Sequence, residues 1–171
     1  MAEVVLMRHC KSDWGAPYDS DAGRPLSARG RQAAETMGRV LTSMGRAPDF
    51  ILTSPAIRAH ATAQMAAAAG AWNAGVHVVD SLYGGGPQAV LDTLRAVPPP
   101  STRVMVVGHE PSWSAAVSIL IGGGEVRMPT GAAAGLELLV RSWAAIGAST
   151  CRLRWLLPPR LFTDGGLVPP A

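Results

Sequence analysis

Two patterns of apolar residues alternate along the chain. Four short, mainly apolar runs predict strands, over residues 4–7, 50–53, 76–79 and 104–107, and the first of them is typical of a strand buried in a parallel sheet. Segments with helical spacing lie between them, and the first of these places Ala33, Met37 and Val40 on one face. The alternation predicts an α/β fold with a mostly parallel sheet.

Local signals predict the ends of these elements. Ser27 is the expected N-cap of the first helix, and Ser54 followed by Pro55 predicts the cap and the first residue of the second. The other predicted elements are helices over 87–96 and 113–121 and strands over 135–140 and 151–157. From Pro158 onward, proline and glycine are too frequent for regular structure to be expected.

The composition indicates a single globular domain. The chain has 171 residues, of which 48% are hydrophobic and only 16% charged, and this excludes a disordered chain. We expect a catalytic domain over residues 1–161 and a Pro/Gly-rich tail over 162–171. No apolar run reaches the roughly 18 residues that span a bilayer, so we expect no membrane partner.

The charged residues and the spacing of the cysteines indicate where the protein is located and what it binds. Glu3 stands where a secretory signal would carry positive charge, and Cys10 and Cys151 lack the spacing of a zinc or redox site. We therefore predict a cytoplasmic protein with free thiols. The net charge of +3 comes from scattered arginines without a basic run, which predicts no binding of nucleic acid.

Polar residues follow the predicted strands. Arg8 and His9 come after the first strand, Ser54 and Arg58 after the second, and Asp80 and His109 after the third and fourth, respectively. Ligands of parallel sheets usually bind beyond the carboxyl ends of the strands. Two histidines and two arginines are therefore expected at one edge of the sheet.

These residue types are suited to a phosphate group. Guanidinium groups offer planar forks of donors that match phosphate oxygens. A neutral imidazole can attack phosphorus and form a covalent intermediate, while a second histidine or a carboxylate manages protons. Neighbouring cations at His9 would oppose its protonation. The chemistry requires no metal ion and no cofactor.

Four sequence elements resemble a known family, the histidine phosphatase superfamily, which includes cofactor-dependent phosphoglycerate mutase. They are Leu6-Met7-Arg8-His9-Cys10-Lys11-Ser12, Pro25-Leu26-Ser27 with Gly30, Leu52-Thr53-Ser54-Pro55-Ala56-Ile57-Arg58-Ala59 with Thr62-Ala63, and Val107-Gly108-His109-Glu110. The segments 8–14 and 155–161 look most like the small SixA-like phosphohistidine phosphatases. The resemblance implies a three-layer α/β/α sandwich.

The resemblance also implies a role for each matching residue. His9 would be the phosphorylated nucleophile, Arg8 and Arg58 would clamp the phosphate, and His109 would be a second imidazole against the phosphoryl oxygens. Ser12 would be a lesser phosphate contact. The implied activity is that of a metal-independent phosphatase, with phosphohistidine on a phosphotransfer protein as the expected substrate.

The sequence departs from the family pattern at two points. Cys10 replaces the usual glycine or alanine, which suggests a tighter loop and a thiol sensitive to oxidants. Larger members place a glutamate in the loop after the third strand, where only Asp80 stands, so Asp80 is the candidate general acid. A site without a strong acid could still cleave a phosphoramidate, because imidazole is a better leaving group than an alkoxide.

Two other functions stay open at this point. A small-molecule phosphomonoesterase, with a small phosphate ester as substrate, would use the same residues. A non-catalytic module that binds phosphorylated partners would use the same pocket, but it could dispense with the nucleophile, and His9 is present.

Overall fold

The computed structural model describes residues 2–164. Within that range, six strands and five α-helices follow one another as β1 (Glu3–Arg8), α1 (Ala28–Ser43), β2 (Phe50–Thr53), α2 (Ile57–Ala69), β3 (Val76–Val78), α3 (Gly86–Arg95), β4 (Arg103–Gly108), α4 (Ser112–Ile121), β5 (Ala133–Leu138), β6 (Cys151–Leu157) and α5 (Arg160–Thr163). Three short 3-10 helices lie between them, over Asp21–Gly23, Asp80–Leu82 and Trp143–Ala145.

The strands form one mixed sheet in the order β3-β2-β4-β1-β5-β6. The first four are parallel, whereas β5 pairs antiparallel with β1 and β6 antiparallel with β5. The prediction of a mostly parallel α/β sheet is confirmed. β5 and β6 occupy one end of the strand order, and the other four strands are parallel. Ligands of such sheets usually bind at the carboxyl ends of the parallel strands.

Helices cover both faces of the sheet. Along β1, Val4 and Leu6 belong to a core shared with α3 and α4, while Val5 and Met7 belong to a core shared with α1 and α2. This alternation follows from the two-residue period of a strand. The arrangement is the expected three-layer α/β/α sandwich.

Two local predictions were wrong. Ser54 does not cap α2: the helix begins at Ile57, and its N-cap residue is Ala56 without a side-chain cap. The segment after Pro158 is not wholly irregular, because α5 forms there and spans the predicted boundary at residue 161. Residues 165–171 of the predicted tail lie outside the described residues.

The register brings the functional strand ends together. Arg8 at the end of β1 pairs with Gly108 at the end of β4, and Thr53 at the end of β2 pairs with Val107. The residues that follow these strands therefore meet at one edge. Among residues 2–164, no helix is long and apolar enough to cross a membrane.

Candidate active site

A polar cavity of about 290 Å³ lies at this edge. Its lining contains five of the six predicted site residues, and the full lining is Arg8, His9, Lys11, Ser12, Trp14, Arg24, Arg58, His109, Glu110 and Thr130. Asp80 is absent from that lining.

The imidazole of His9 is held in one tautomer. Its Nδ1 lies 2.7 Å from the carbonyl oxygen of Cys10. Because a carbonyl only accepts, Nδ1 must carry the proton when the ring is neutral, and Nε2 keeps its lone pair. The Nε–H of Arg58 donates to that Nε2 at 3.3 Å. The unprotonated nitrogen of His9 therefore faces Arg58, the predicted phosphate clamp.

His9 is neutral at physiological pH. Burial lowers its pKa to about 3, with further lowering from His109, Arg58 and Arg8 and an opposing contribution from the Cys10 carbonyl. Cationic neighbours were expected to oppose protonation, and desolvation adds a larger effect in the same direction. A neutral imidazole can attack phosphorus directly.

Arg58 is fixed by Asp21. One terminal nitrogen donates to the backbone oxygen of Asp21 at 2.6 Å, and the other donates to its Oδ2 at 2.8 Å. With both terminal nitrogens held, Nε is directed to His9. The arginine itself is only 5% exposed, so the guanidinium has little freedom to leave the cavity.

Arg8 is the second predicted clamp. Its NH1 donates to the Met128 carbonyl at 3.0 Å, and its buried Nε has no hydrogen-bond partner in residues 2–164. Burial lowers the pKa of Arg8 from its ordinary value, although a guanidinium remains charged. Arg8 therefore brings positive charge and an unused donor to the site.

His109 comes from the end of β4. A 2.7 Å hydrogen bond joins its Nε2 to Oγ of Ser54, and its ring centroid lies 5.1 Å from that of His9. Burial, followed by the positive charge of Arg58, lowers the pKa of His109 to about 4. The hydroxyl predicted to cap α2 thus orients the second imidazole instead.

Sequence reasoning missed Arg24. Its guanidinium donates to the Ser12 hydroxyl, which explains why this predicted phosphate contact is buried. Arg24 also donates to Asp21 at 2.8 Å, and its Cζ lies 3.6 Å from the ring centroid of Trp14. The site therefore has a third arginine, directly before the Pro25-Leu26-Ser27 element, whose position could have drawn attention to it.

Asp21 was missed as well. Its carboxylate accepts from Arg24, Arg58 and the Tyr83 hydroxyl, the last at 2.9 Å. These hydrogen bonds, with that of Arg24 first, hold the pKa of Asp21 well below its usual range. The group is thus an ionised carboxylate that orients two arginines, and it has no proton to donate.

Asp80, the predicted general acid, is not brought into the cavity. It is exposed and begins a 3-10 helix after β3, and its backbone oxygen accepts from the Tyr83 amide. β3 is an edge strand, separated from β1 by β2 and β4. The side chain that this loop brings to the site is Tyr83, whose ring packs edge-on against His109 at 5.4 Å.

The Cys10 thiol is enclosed. The side chain is fully buried, and burial raises its pKa to about 12. Gly131, with φ +75°, provides the space, because a Cβ there would lie 3.1 Å from the Cys10 sulfur. A protonated, inaccessible thiol reacts poorly with oxidants, contrary to the suggestion from sequence.

Two glycines let helices approach the site closely. A Cβ on Gly30 would lie 2.0 Å from the Lys11 carbonyl oxygen, so α1 packs directly behind the loop after β1. A Cβ on Gly108 would lie 2.1 Å from the Trp113 ring, which packs beneath the end of β4. Side chains at these positions would push the catalytic loops apart.

The cavity is suited to an anion. Within residues 2–164, the buried side-chain nitrogens without a partner are Arg8 Nε, Arg24 Nε and His109 Nδ1, and all three residues line it. Buried polar groups normally have partners, so this clustering indicates a site that a polar ligand completes. The same range contains no group of three His, Cys, Asp or Glu side chains arranged to hold a metal ion.

The sequence matches known proteins. Residues 4–82 match the histidine phosphatase superfamily (branch 1). An uncharacterized chloroplastic protein of Arabidopsis thaliana is 30% identical over 91% of this chain and 77% of its own length. An uncharacterized Picosynechococcus protein is also 30% identical, over 91% of this chain and 99% of its own length.

Solved structures share the fold. A protein described as a candidate phosphohistidine phosphatase SixA of Nakamurella multipartitia superposes with a TM-score of 0.77 and 28% identity, covering 92% of this chain and 96% of its own. The protein histidine phosphatase SixA complexed with tungstate superposes with a TM-score of 0.79 at 24% identity, covering 92% and 97%. The second likeness concerns the fold alone.

Proposed function

This chain belongs to the histidine phosphatase superfamily, and from that premise we propose that it hydrolyses phosphohistidine on a phosphotransfer protein. The reaction would proceed through a covalent intermediate on His9 and without a metal ion. The observation that carries the proposal is the orientation of His9, whose Nε2 lone pair faces the Arg58 guanidinium. An unprotonated imidazole nitrogen next to a guanidinium can attack a phosphoryl group that the guanidinium binds.

The first step transfers the phosphoryl group to the enzyme. The Nε2 lone pair of His9 forms a bond to phosphorus while the bond from phosphorus to the substrate imidazole nitrogen breaks. The other ring nitrogen of the substrate carries a proton taken from solvent. The nitrogen that was bonded to phosphorus therefore keeps the bonding electron pair, and the product histidine leaves as a neutral imidazole. Arg8 and Arg58 neutralise the charge on the phosphoryl oxygens.

The second step releases phosphate. A water oxygen bonds to phosphorus, and the bond to His9 Nε2 breaks with its electrons returning to the ring. Throughout this step the proton stays on Nδ1, which donates to the Cys10 carbonyl oxygen, so His9 leaves as a neutral imidazole. His109, also neutral in the free enzyme, is placed to exchange a proton with the attacking water.

The kind of leaving group that the site can expel depends on whether a carboxyl group near the cavity can donate a proton. Asp21 is ionised by its hydrogen bonds, and Asp80 lies outside the lining. Glu110 lines the cavity, but its Oε1 accepts from the Ser114 hydroxyl at 2.8 Å, which ties this carboxylate to α4. An alkoxide needs a proton from a strong general acid as it departs, whereas a substrate imidazole that already carries a proton on its second ring nitrogen leaves as a neutral ring and needs none from the enzyme. A phosphoramidate is therefore the substrate that this site favours over an alkyl ester.

The test is a comparison of substrates. Phosphohistidine peptide, p-nitrophenyl phosphate and phosphoserine are assayed with the wild type and with His9→Ala. We expect kcat/KM for phosphohistidine to exceed that for phosphoserine by at least about 10²-fold, the usual contribution of a missing general acid. Equal or faster hydrolysis of phosphoserine would instead identify a small-molecule phosphomonoesterase.

A further inference from the structure

A second polar groove adjoins the active site. It has a volume of about 260 Å³ and shares Lys11 and Thr130 with the lining of the catalytic cavity. Its outer part is formed by the first turns of α1, with Arg29, and by α5, with Arg160. α1 and α5 are in contact, so the groove has a continuous floor.

The groove carries surplus positive charge. Lys11, Arg29 and Arg160 are exposed, and within residues 2–164 none of them has a carboxylate oxygen within salt-bridge distance. The groove also contains one carboxylate, Asp164, whose Oδ1 accepts from Thr163. Three cations against one anion leave it electropositive.

We propose that this basic groove (Lys11, Arg29 and Arg160) docks an acidic surface segment next to the phosphohistidine of the substrate protein. The inference rests on the proposed function. A phosphohistidine that reaches His9 brings its flanking residues close to the cavity, and the groove adjoins that cavity at Lys11 and Thr130. Exposed cations that form no ion pair within residues 2–164 attract carboxylates on the substrate protein and steer its approach.

The groove residues differ from the catalytic arginines in exposure. Arg8, Arg24 and Arg58 line the catalytic cavity and are wholly or partly buried, whereas Arg29 and Arg160 do not line it and face solvent. Neutralising the outer pair is therefore expected to change the binding of a protein substrate without changing the chemical step.

The test uses two phosphohistidine peptides that are identical except for flanking Glu or Gln residues, together with free phosphohistidine. In the wild type at low salt, kcat/KM for the Glu peptide is expected to exceed that for the Gln peptide by about fivefold, as for two exposed ion pairs. In Arg29→Gln/Arg160→Gln, the ratio of kcat/KM for the Glu peptide to that for the Gln peptide is expected to fall to about one, because KM for the Glu peptide rises. The values of kcat and KM for free phosphohistidine should not change. Arg141→Gln, an exposed arginine at a separate cavity beside Trp143, is the matched control and should keep the wild-type ratio.

Three results would overturn the proposal: equal turnover of the two peptides by the wild type, an unchanged ratio in the double variant, or an equal rise in KM for free phosphohistidine. If no phosphohistidine substrate is hydrolysed, the proposed function fails separately. The unphosphorylated peptides then test the groove as inhibitors of p-nitrophenyl phosphate hydrolysis. Stronger inhibition by the Glu form, lost in the double variant, supports docking, and equal inhibition overturns it.

Discussion

The Nε–H of Arg58 donates to Nε2 of His9 at 3.3 Å while both terminal nitrogens of the same guanidinium are held by Asp21. A lysine has one charged nitrogen and cannot make these three contacts. Arg58→Lys is therefore expected to lower kcat/KM by about 30-fold, equivalent to about 2 kcal/mol for a charge-assisted contact. Steady-state kinetics check this. Arg39→Lys, an exposed arginine with Glu35 as its partner, is the control, and wild-type rates in Arg58→Lys would contradict the clamp.

Asp21 positions the arginines. Asp21→Ala removes the carboxylate from Arg24 and Arg58 but leaves the contact of Arg58 with the backbone oxygen of residue 21. We expect kcat to fall by about threefold to tenfold, since the carboxylate is itself partly exposed to solvent. Asp21→Asn keeps an acceptor and should be less affected. A lower KM for phosphate esters with unchanged kcat would show instead that Asp21 competes with the substrate for the arginines.

The free energy of unfolding is expected to depend on pH because His9 is buried and neutral in the folded protein. In the unfolded chain His9 binds a proton below its ordinary pKa of 6.5, whereas in the folded protein it does so only near pH 3. Acid therefore favours unfolding between these values, and the wild type loses up to about 1.4 kcal/mol per pH unit from this group.

His9→Gln lacks this contribution. The difference in unfolding free energy between wild type and His9→Gln should move in favour of the variant as pH falls from about 6.5 to about 4. Urea titrations at several pH values measure it, with His60→Gln as a histidine control on α2. A difference that does not change with pH would contradict a neutral, buried His9.

Asp80 is expected to have little effect on catalysis. Since it is exposed and outside the cavity lining, Asp80→Asn should change the rates for alkyl phosphate, aryl phosphate and phosphohistidine by less than about twofold. A large loss confined to the alkyl ester would restore its role as general acid, because acid catalysis matters most for the poorest leaving group.

Activity is also expected to survive treatment with EDTA. The charge of the phosphoryl group is met here by the guanidiniums of Arg8, Arg24 and Arg58 and by the unpartnered donors of the cavity. A strict requirement for a divalent ion, seen as loss with EDTA and recovery with added metal, would contradict this prediction.

Much of the fold could be predicted from the sequence because it depends on local pattern. Apolar runs identify strands, whether these are buried like β1 or largely exposed like β3. The carboxyl ends of parallel strands converge at one edge of the sheet, and for this reason the sequence groups Arg8, His9, Arg58 and His109. Ser54 was misread because Ser-Pro is a good helix start by local rules, whereas its hydroxyl bonds to His109, 55 residues away.

Asp21 and Arg24 could not be predicted in the same way. They lie in the segment between β1 and α1, whose sequence shows neither strand nor helix periodicity, and the contact from Asp21 to Arg58 spans 37 residues. Asp80 was expected at the site because it follows a predicted strand. The sequence next to a strand end does not show whether that strand lies at the centre of the sheet or at its edge. β3 is the edge strand, and its carboxyl end lies away from β1.

The central claim is tested most directly by trapping the intermediate. After brief incubation with a ³²P-labelled phosphohistidine substrate and rapid quenching, the wild type should carry label that is stable in base and labile in acid, and peptide mapping should locate it on His9. His9→Ala should carry no such label and should lose turnover. Full turnover by His9→Ala, or label on another residue of the wild type, would contradict the account.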